Sequence, residues 1–174
     1  VGAIREDSGD VGVSANASDD STTDAGAAYV FQRDGGLWTQ EVYLKPTEVS
    51  DSDFFGFSVA INGDTLIVGS TGEDSAARGI NGDATNDSAN NSGAAWTFRR
   101  LTDTWTQQSY LKASNTVTTQ FSAANFGRAV ALTSDNVFIG AHFEDGVGSG
   151  VNPTQSVGFA GDNSGAVYIY EQTS

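Results

Sequence analysis

Short stretches in which apolar residues alternate with small or polar ones recur along the chain. Segments rich in Gly, Asp, Asn and Ser separate them. Over Phe55–Ile61, residues Phe55, Phe57, Val59 and Ile61 alternate in this way, the pattern of a half-buried strand. Thr65–Ser70 is a continuous apolar run, as expected of a strand buried on both faces. Trp96 and Phe98 alternate within Ala94–Arg99, and Trp105 and Tyr110 anchor Thr104–Leu111. Asn62-Gly63-Asp64 is a tight-hairpin signal between the first two stretches. Asp34-Gly35-Gly36 marks a turn between the third and fourth strands of an earlier copy. No segment carries a helical stripe of useful length, so the pattern predicts an all-β chain.

These strands belong to an internal repeat. Gly26-Ala27-Ala28-Tyr29-Val30-Phe31 matches Gly93-Ala94-Ala95-Trp96-Thr97-Phe98 at an offset of 67, and the same offset aligns Trp38-Thr39-Gln40 with Trp105-Thr106-Gln107. It also aligns Tyr43-Leu44-Lys45 with Tyr110-Leu111-Lys112. At an offset of 71, Phe55-Gly56-Phe57-Ser58-Val59-Ala60 matches Phe126-Gly127-Arg128-Ala129-Val130-Ala131. Leu66-Ile67-Val68-Gly69 matches Val137-Phe138-Ile139-Gly140, and Gly165-Ala166-Val167-Tyr168-Ile169-Tyr170 closes the series. Four meander-connected strands per period, with recurring Gly and aromatic positions, predict β-propeller blades. The period exceeds the usual blade repeat of roughly 40 to 50 residues, and the excess lies in a long polar loop between the second and third strands, Thr71–Ser92 in the middle copy.

Phe55-Gly56-x-Ser58-Val59-Ala60, then Val68-Gly69-Ser70, then Gly93-Ala94-Ala95 resembles the FG-GAP repeat. That repeat builds the β-propeller of integrin α-subunits, and the likeness is closer to the bacterial branch of the family. The resemblance implies a β-propeller and a secreted or cell-surface protein; it does not imply an enzyme. Integrin repeats bind Ca²⁺ in an Asp-rich hairpin between the first and second strands. Here those hairpins are Ile61-Asn62-Gly63-Asp64-Thr65 and Leu132-Thr133-Ser134-Asp135-Asn136. Each has one Asp and is too short to wrap a cation, so that site is not carried over.

Composition narrows the functional classes. The 174 residues include 22 acids and 8 bases, for a formal charge of −14. This excludes nucleic-acid binding, which needs clustered Lys and Arg. No run of 18 or more apolar residues exists, so no membrane insertion is expected. The absence of Cys excludes disulfides, thiolate metal sites and a thiol nucleophile. Lack of both Met and Cys fits an extracellular origin, and a start at Val1 without a leader suggests a mature product or a fragment. The basic residues form no stripe. Arg33, Lys45, Arg99, Arg100 and Lys112 are expected to be solvated charge on the outer strands.

The loops between the second and third strands repeat a chemical pattern. Each opens with an acidic pair, Glu6-Asp7, Glu73-Asp74 or Glu144-Asp145. Each closes on Asp24-Ala25-Gly26, Asn91-Ser92-Gly93 or Asn163-Ser164-Gly165. Ca²⁺ takes six to eight oxygens from carboxylates, amides and carbonyls. Asp74, Asn81, Asp83 and Asp87 form a candidate Ca²⁺ set within one loop. The competing reading is that such residues stabilise turns through local hydrogen bonds, and it is the one favoured. The repeated pair suggests a shared structural role, accepting backbone N–H groups of the next loop.

Other candidates are weaker. His142 stands alone as a loop histidine. Gly146-Val147-Gly148-Ser149-Gly150 lacks the Lys of a phosphate loop and opens no helix. Paired carboxylates could run glycoside hydrolysis, yet here they recur in every copy. Trp38, Trp96 and Trp105 could stack on sugars, but Trp38 and Trp105 hold equivalent places, so packing between blades is the default. No catalytic residue is assigned.

The expected organisation is a partial blade over residues 1–54 (strands two to four), a complete blade over 55–125, and a partial blade over 126–174 (strands one to three). Ten strands make two and a half blades, whereas closed propellers take four to eight. The chain is therefore expected to be an arc of a larger propeller, its open edges covered by the rest of the propeller or by neighbouring copies. The functional expectation is a non-enzymatic extracellular module for cell-surface adhesion or protein–protein interaction, with a protein or glycan at the loop-rich face. Alternatives are a structural subunit of a surface layer or filament, and a carbohydrate-binding module.

Overall fold

The structure, a computed structural model, describes residues 1–118, 123–153 and 163–172. These residues contain strands and no helix. Strands β1 (Gly2–Ala3), β2 (Ala27–Asp34) and β3 (Leu37–Leu44) form one antiparallel sheet in that order. Strands β4 (Phe55–Asn62), β5 (Thr65–Ser70), β7 (Ala94–Leu101) and β8 (Thr104–Lys112) form the middle sheet as a meander. Strand β6 (Gly79–Ile80) adds to its outer edge. Strands β9 (Phe126–Leu132), β10 (Asn136–Ala141) and β11 (Ala166–Glu171) make the third sheet. The fold is all-β, three antiparallel blade sheets in a partial propeller arc.

Alternation explains where the core sits. Successive side chains of a strand point to opposite faces. In β5, Leu66 and Val68 join a cluster shared with Val30, Val42 and Leu44 of the first sheet. Ile67 joins a second cluster with Val137 and Ile139 of the third. Both faces of the middle blade are thus buried, which is why Thr65–Ser70 reads as an unbroken apolar run. The cores lie between blades. Phe55 meets Trp96 edge-on at 5.5 Å between centroids, and Phe126 meets Tyr168 at 5.2 Å, distances typical of favourable aromatic pairs.

Neighbouring blades also touch backbone to backbone. Gly26 forms a parallel bridge with Phe55, and Gly93 does the same with Phe126. The Phe126 amide donates to the Ser92 carbonyl at 3.0 Å, as the Phe55 amide does to Ala25 at 2.9 Å. A Cβ at Gly93 would lie 2.1 Å from the Phe126 carbonyl oxygen, and one at Gly127 would lie 2.2 Å from that of Ala94. Both glycines have positive φ, 79° and 88°. The Phe-Gly and Gly-Ala pairs are therefore the two halves of one joint. Only glycine combines that conformation with so close an approach.

The long loop Thr71–Ser92 is not wholly irregular. It returns to the outer edge of the middle blade, where β6 pairs with β8 through Gly79 and Lys112 and through Ile80 and Leu111. The Asn81 side-chain oxygen then accepts the Tyr110 amide at 2.9 Å, and the Asn81 amide donates to the Tyr110 carbonyl at 2.8 Å. Val13 bridges Leu44 in the same way in the first sheet. Each loop thus covers an edge that would otherwise expose unpaired backbone groups.

Replacing Gly93 by Ala should cost roughly 2–5 kcal/mol through overpacking and left-handed strain. Gly36→Ala, with open space around the added Cβ, should cost only about 1–2 kcal/mol. Urea denaturation of the two variants measures the difference.

Candidate functional site

The acidic pairs that open the three loops occupy one geometry. The Asp7 carboxylate accepts the Asp24 amide at 2.7 Å, Asp74 accepts that of Asn91 at 2.6 Å, and Asp145 accepts that of Asn163 at 3.0 Å. All three donors sit at positive φ, between 50° and 55°. Asp or Asn stands there because these residues tolerate the left-handed region. The Glu6, Glu73 and Glu144 carbonyls accept the amides of Gly26, Gly93 and Gly165 at 2.8, 2.9 and 2.9 Å. Each pair therefore closes its own loop rather than serving the next one, because the two ends of each loop meet at the joint glycine.

The glutamate side chains anchor a buried network. Lys112 is fully buried, and its ammonium pairs with the Glu73 carboxylate and donates to the Ser92 hydroxyl at 2.6 Å. The Tyr110 hydroxyl donates to Glu73 at 2.5 Å and lies 2.5 Å from the Ser75 hydroxyl. Lys45, equally buried, pairs with Glu6 at 3.1 Å and donates to the Gly26 carbonyl at 2.6 Å. The sequence expectation that Lys45 and Lys112 are solvated outer-edge charge is overturned. Each lies at the C-terminal end of a fourth strand, where the returning loop covers it and a glutamate 39 residues earlier meets it. Burial pulls the Lys112 amine below its usual range, opposed by Glu73, and pushes the Tyr110 hydroxyl up.

The remaining basic residues are closer to expectation. Arg33 and Arg99 are exposed. Arg100 pairs with Glu41 at 3.0 Å and Asp64 at 2.8 Å and lies over the Trp105 ring. Trp105 is buried, and its indole N–H donates to Glu41 of the first sheet at 2.9 Å, so it packs between blades. Trp38, its equivalent, is 66% exposed together with Phe31 and Leu37. Trp96 lies in the core against Phe55 and Tyr110.

Of the candidate Ca²⁺ residues, Asp74 holds the Asn91 amide and Asn81 extends the β8 edge. Asp83 caps a turn through the Thr85 amide and hydroxyl at 3.0 and 2.7 Å, and Asp87 is exposed. Among the described residues, no three His, Asp or Glu side chains converge to hold a metal ion. A cation at this loop would compete with backbone donors for Asp74 and Asn81. His142 is exposed beside Phe143. At Gly146 the amide donates to the Glu144 carboxylate at 2.9 Å, so a phosphate there would face a negative charge.

Asp53 was missed in the sequence. It precedes β4 at the joint between the first and middle blades and is 5% exposed. Its carboxylate accepts the Ser50 amide at 2.9 Å, and its carbonyl accepts the Gly72 amide and the Ser70 hydroxyl. Burial pushes its pKa up to about 7, with Glu73, Asp74 and Asp87 adding repulsion. Only the tertiary fold brings these groups together.

The FG-GAP repeat family model matches residues 38–98 and 105–170. The chain belongs to the FG-GAP repeat family. A search of curated proteins returns no match. The FG-GAP joint, with Phe-Gly of one blade against Gly-Ala of the preceding one, is the geometry described above. The family is a structural and interaction repeat, and the all-β sheets fit a propeller-type protein-interaction module.

Lys112→Met should destabilise the protein by about 3–5 kcal/mol because Glu73 is left buried and unpaired, and Glu73→Gln added to it should recover part of the loss; chemical denaturation checks both. Asp53 has a raised folded pKa, so its contribution is fully present below pH about 4, the unfolded value, and lost as pH rises through about 7. Asp53→Asn should therefore lessen the fall in stability between pH 4 and 7 by on the order of a few kcal/mol, read from urea melts across that range.

Proposed function

We propose that the chain is a non-enzymatic extracellular propeller module that mediates adhesion or other protein–protein contact through its loop-rich side. The observation that carries this reading is the commitment of the recurring acids. Asp7, Asp74 and Asp145 hold loop amides, while Glu6 and Glu73 neutralise buried lysines. The carboxylates that would be the natural candidates for acid–base work are tied to the scaffold. What remains for function is the loops, carried by rigid sheets. A charge of −14 keeps such a module soluble and directs it away from anionic surfaces. No helix among the described residues is long and apolar enough to cross a membrane.

A second reading, a structural subunit of a surface layer or filament, draws on apolar side chains exposed on the first and third sheets. These are Phe31 and Trp38 on the first sheet and Val167 and Ile169 on the third.

Protease shaving of intact producing cells should release fragments of this protein, and the labelled protein should bind cell-surface proteins in an overlay. Confinement to the cytosolic fraction would overturn the extracellular reading. Retention only in sedimentable polymers would favour the structural subunit.

A further inference from the structure

The charge on this surface is nearly all of one sign. The chain has two lysines, Lys45 and Lys112, and both are fully buried. No lysine therefore reaches solvent, and arginine alone stands against the exposed carboxylates. Among the described residues the ion-paired acids are Glu6, Glu41, Asp64 and Glu73. Several arginines are engaged elsewhere. Arg33 and Arg128 lie over the Trp38 and Phe57 rings at 5.9 and 4.5 Å, and Arg78 donates to the Thr116 carbonyl at 2.8 Å. Asp20, Glu48, Asp87 and Asp103 are exposed, with no base paired to them among the described residues.

Other carboxylates are held in place by their own loops or connectors. Asp10 accepts the Val11 and Asn16 amides at 3.0 and 2.7 Å, and Asp19 accepts that of Gly9 at 2.7 Å. Asp51 accepts the Thr23 amide at 2.8 Å, and Asp83 accepts that of Thr85 at 3.0 Å. Side chains fixed in this way cannot swing apart, so rearrangement does not relieve their mutual repulsion. At the joint of the first and middle blades, Asp53 faces Glu73, Asp74 and Asp87, with the buried Lys45 and Lys112 as the nearby cations. Burial raises the Asp74 pKa, and repulsion from Glu73 and Asp87 adds to it. Among the described residues no acidic group converges to hold one metal ion, so a single bound cation does not answer this charge.

We propose that this fold is adapted to concentrated salt, with a diffuse atmosphere of hydrated alkali cations over its loops as a condition of the folded state. Charge of one sign destabilises a compact chain through self-repulsion. The screening length falls from about 10 Å at 0.1 M salt to about 3 Å at 1 M. Molar salt therefore removes a repulsion between pinned carboxylates that dilute buffer leaves in place. Solubility alone does not account for the pattern. A small domain stays soluble with a net charge of about 2 to 8 and both signs mixed, whereas here the charge is −14 and no lysine is exposed. Lysine is kept only on Glu6 and Glu73, where loop closure buries a carboxylate. Cation dependence of this kind is independent of what the loops contact.

The test is thermal melting of the whole chain in NaCl and in KCl. The melting temperature should rise by roughly 10 °C from about 0.1 M salt upward, alike in the two salts, with most of the rise complete by about 1 M. A triple variant, Asp20→Asn with Glu48→Gln and Asp87→Asn, removes three exposed, unpaired charges. It should melt several degrees above the parent at about 0.1 M salt and level with it at about 1 M. A melting temperature indifferent to NaCl and KCl would overturn the proposal, and this arm needs no variant to fold. So would a triple variant that differs from the parent equally at both salt concentrations. A rise produced by sulfate alone would also overturn it, because sulfate acts by strengthening apolar burial.

Discussion

Adjacent blades approach so closely at Gly26–Phe55 and Gly93–Phe126 that a single Cβ would overlap a carbonyl oxygen. The rest of the arc depends on this contact. It sets the angle at which one sheet meets the next, and so the width of the space that Leu66, Val68, Trp96 and Phe98 fill on one side and Ile67, Val137 and Ile139 on the other. Interiors pack at crystal-like density, so a joint that opened by even an ångström would leave both cores loose. The motif that names the family is thus a packing constraint expressed as backbone chemistry.

The buried lysines solve a second problem raised by the joint. A loop of about twenty residues must leave the second strand and return to the glycine at the start of the third. Glu73 and Asp74 close that loop on its own amides, and Lys112 neutralises the charge that this closure buries. Such pairs add little net stability over apolar residues, but breaking one is costly. Their effect is to make the loop's path specific. The same arrangement holds in the first blade through Glu6 and Lys45.

Much of this was legible in the chain. The alternation at Phe55–Ile61, the two-faced run at Thr65–Ser70 and the aromatic anchors of the outer strand all correspond to strands in the structure. The recurrence of the acidic pairs pointed to a structural acceptor role, but it placed their donors on the next loop, whereas Asp7, Asp74 and Asp145 accept amides of their own loops. The lysines gave no such signal. Lys45 and Lys112 end strands at positions that look solvent-facing, and Lys is rarely buried unless paired. Their partners lie 39 residues away across a loop. Trp38 and Trp105 share the local sequence Trp-Thr-Gln, yet one is 66% exposed and the other 3%, because Trp105 packs against Glu41 of the first sheet and no described residue covers Trp38 in the same way.

The amino-acid sequence by itself determined the strands, their repeat and the joint glycines, since these follow from local periodicity and backbone conformational limits. The tertiary structure alone decided which charges are buried, which loop ends meet, and which of several equivalent side chains face a neighbour. Those outcomes depend on what stands across the gap between blades, and residues identical in sequence receive different surroundings according to their place in the arc.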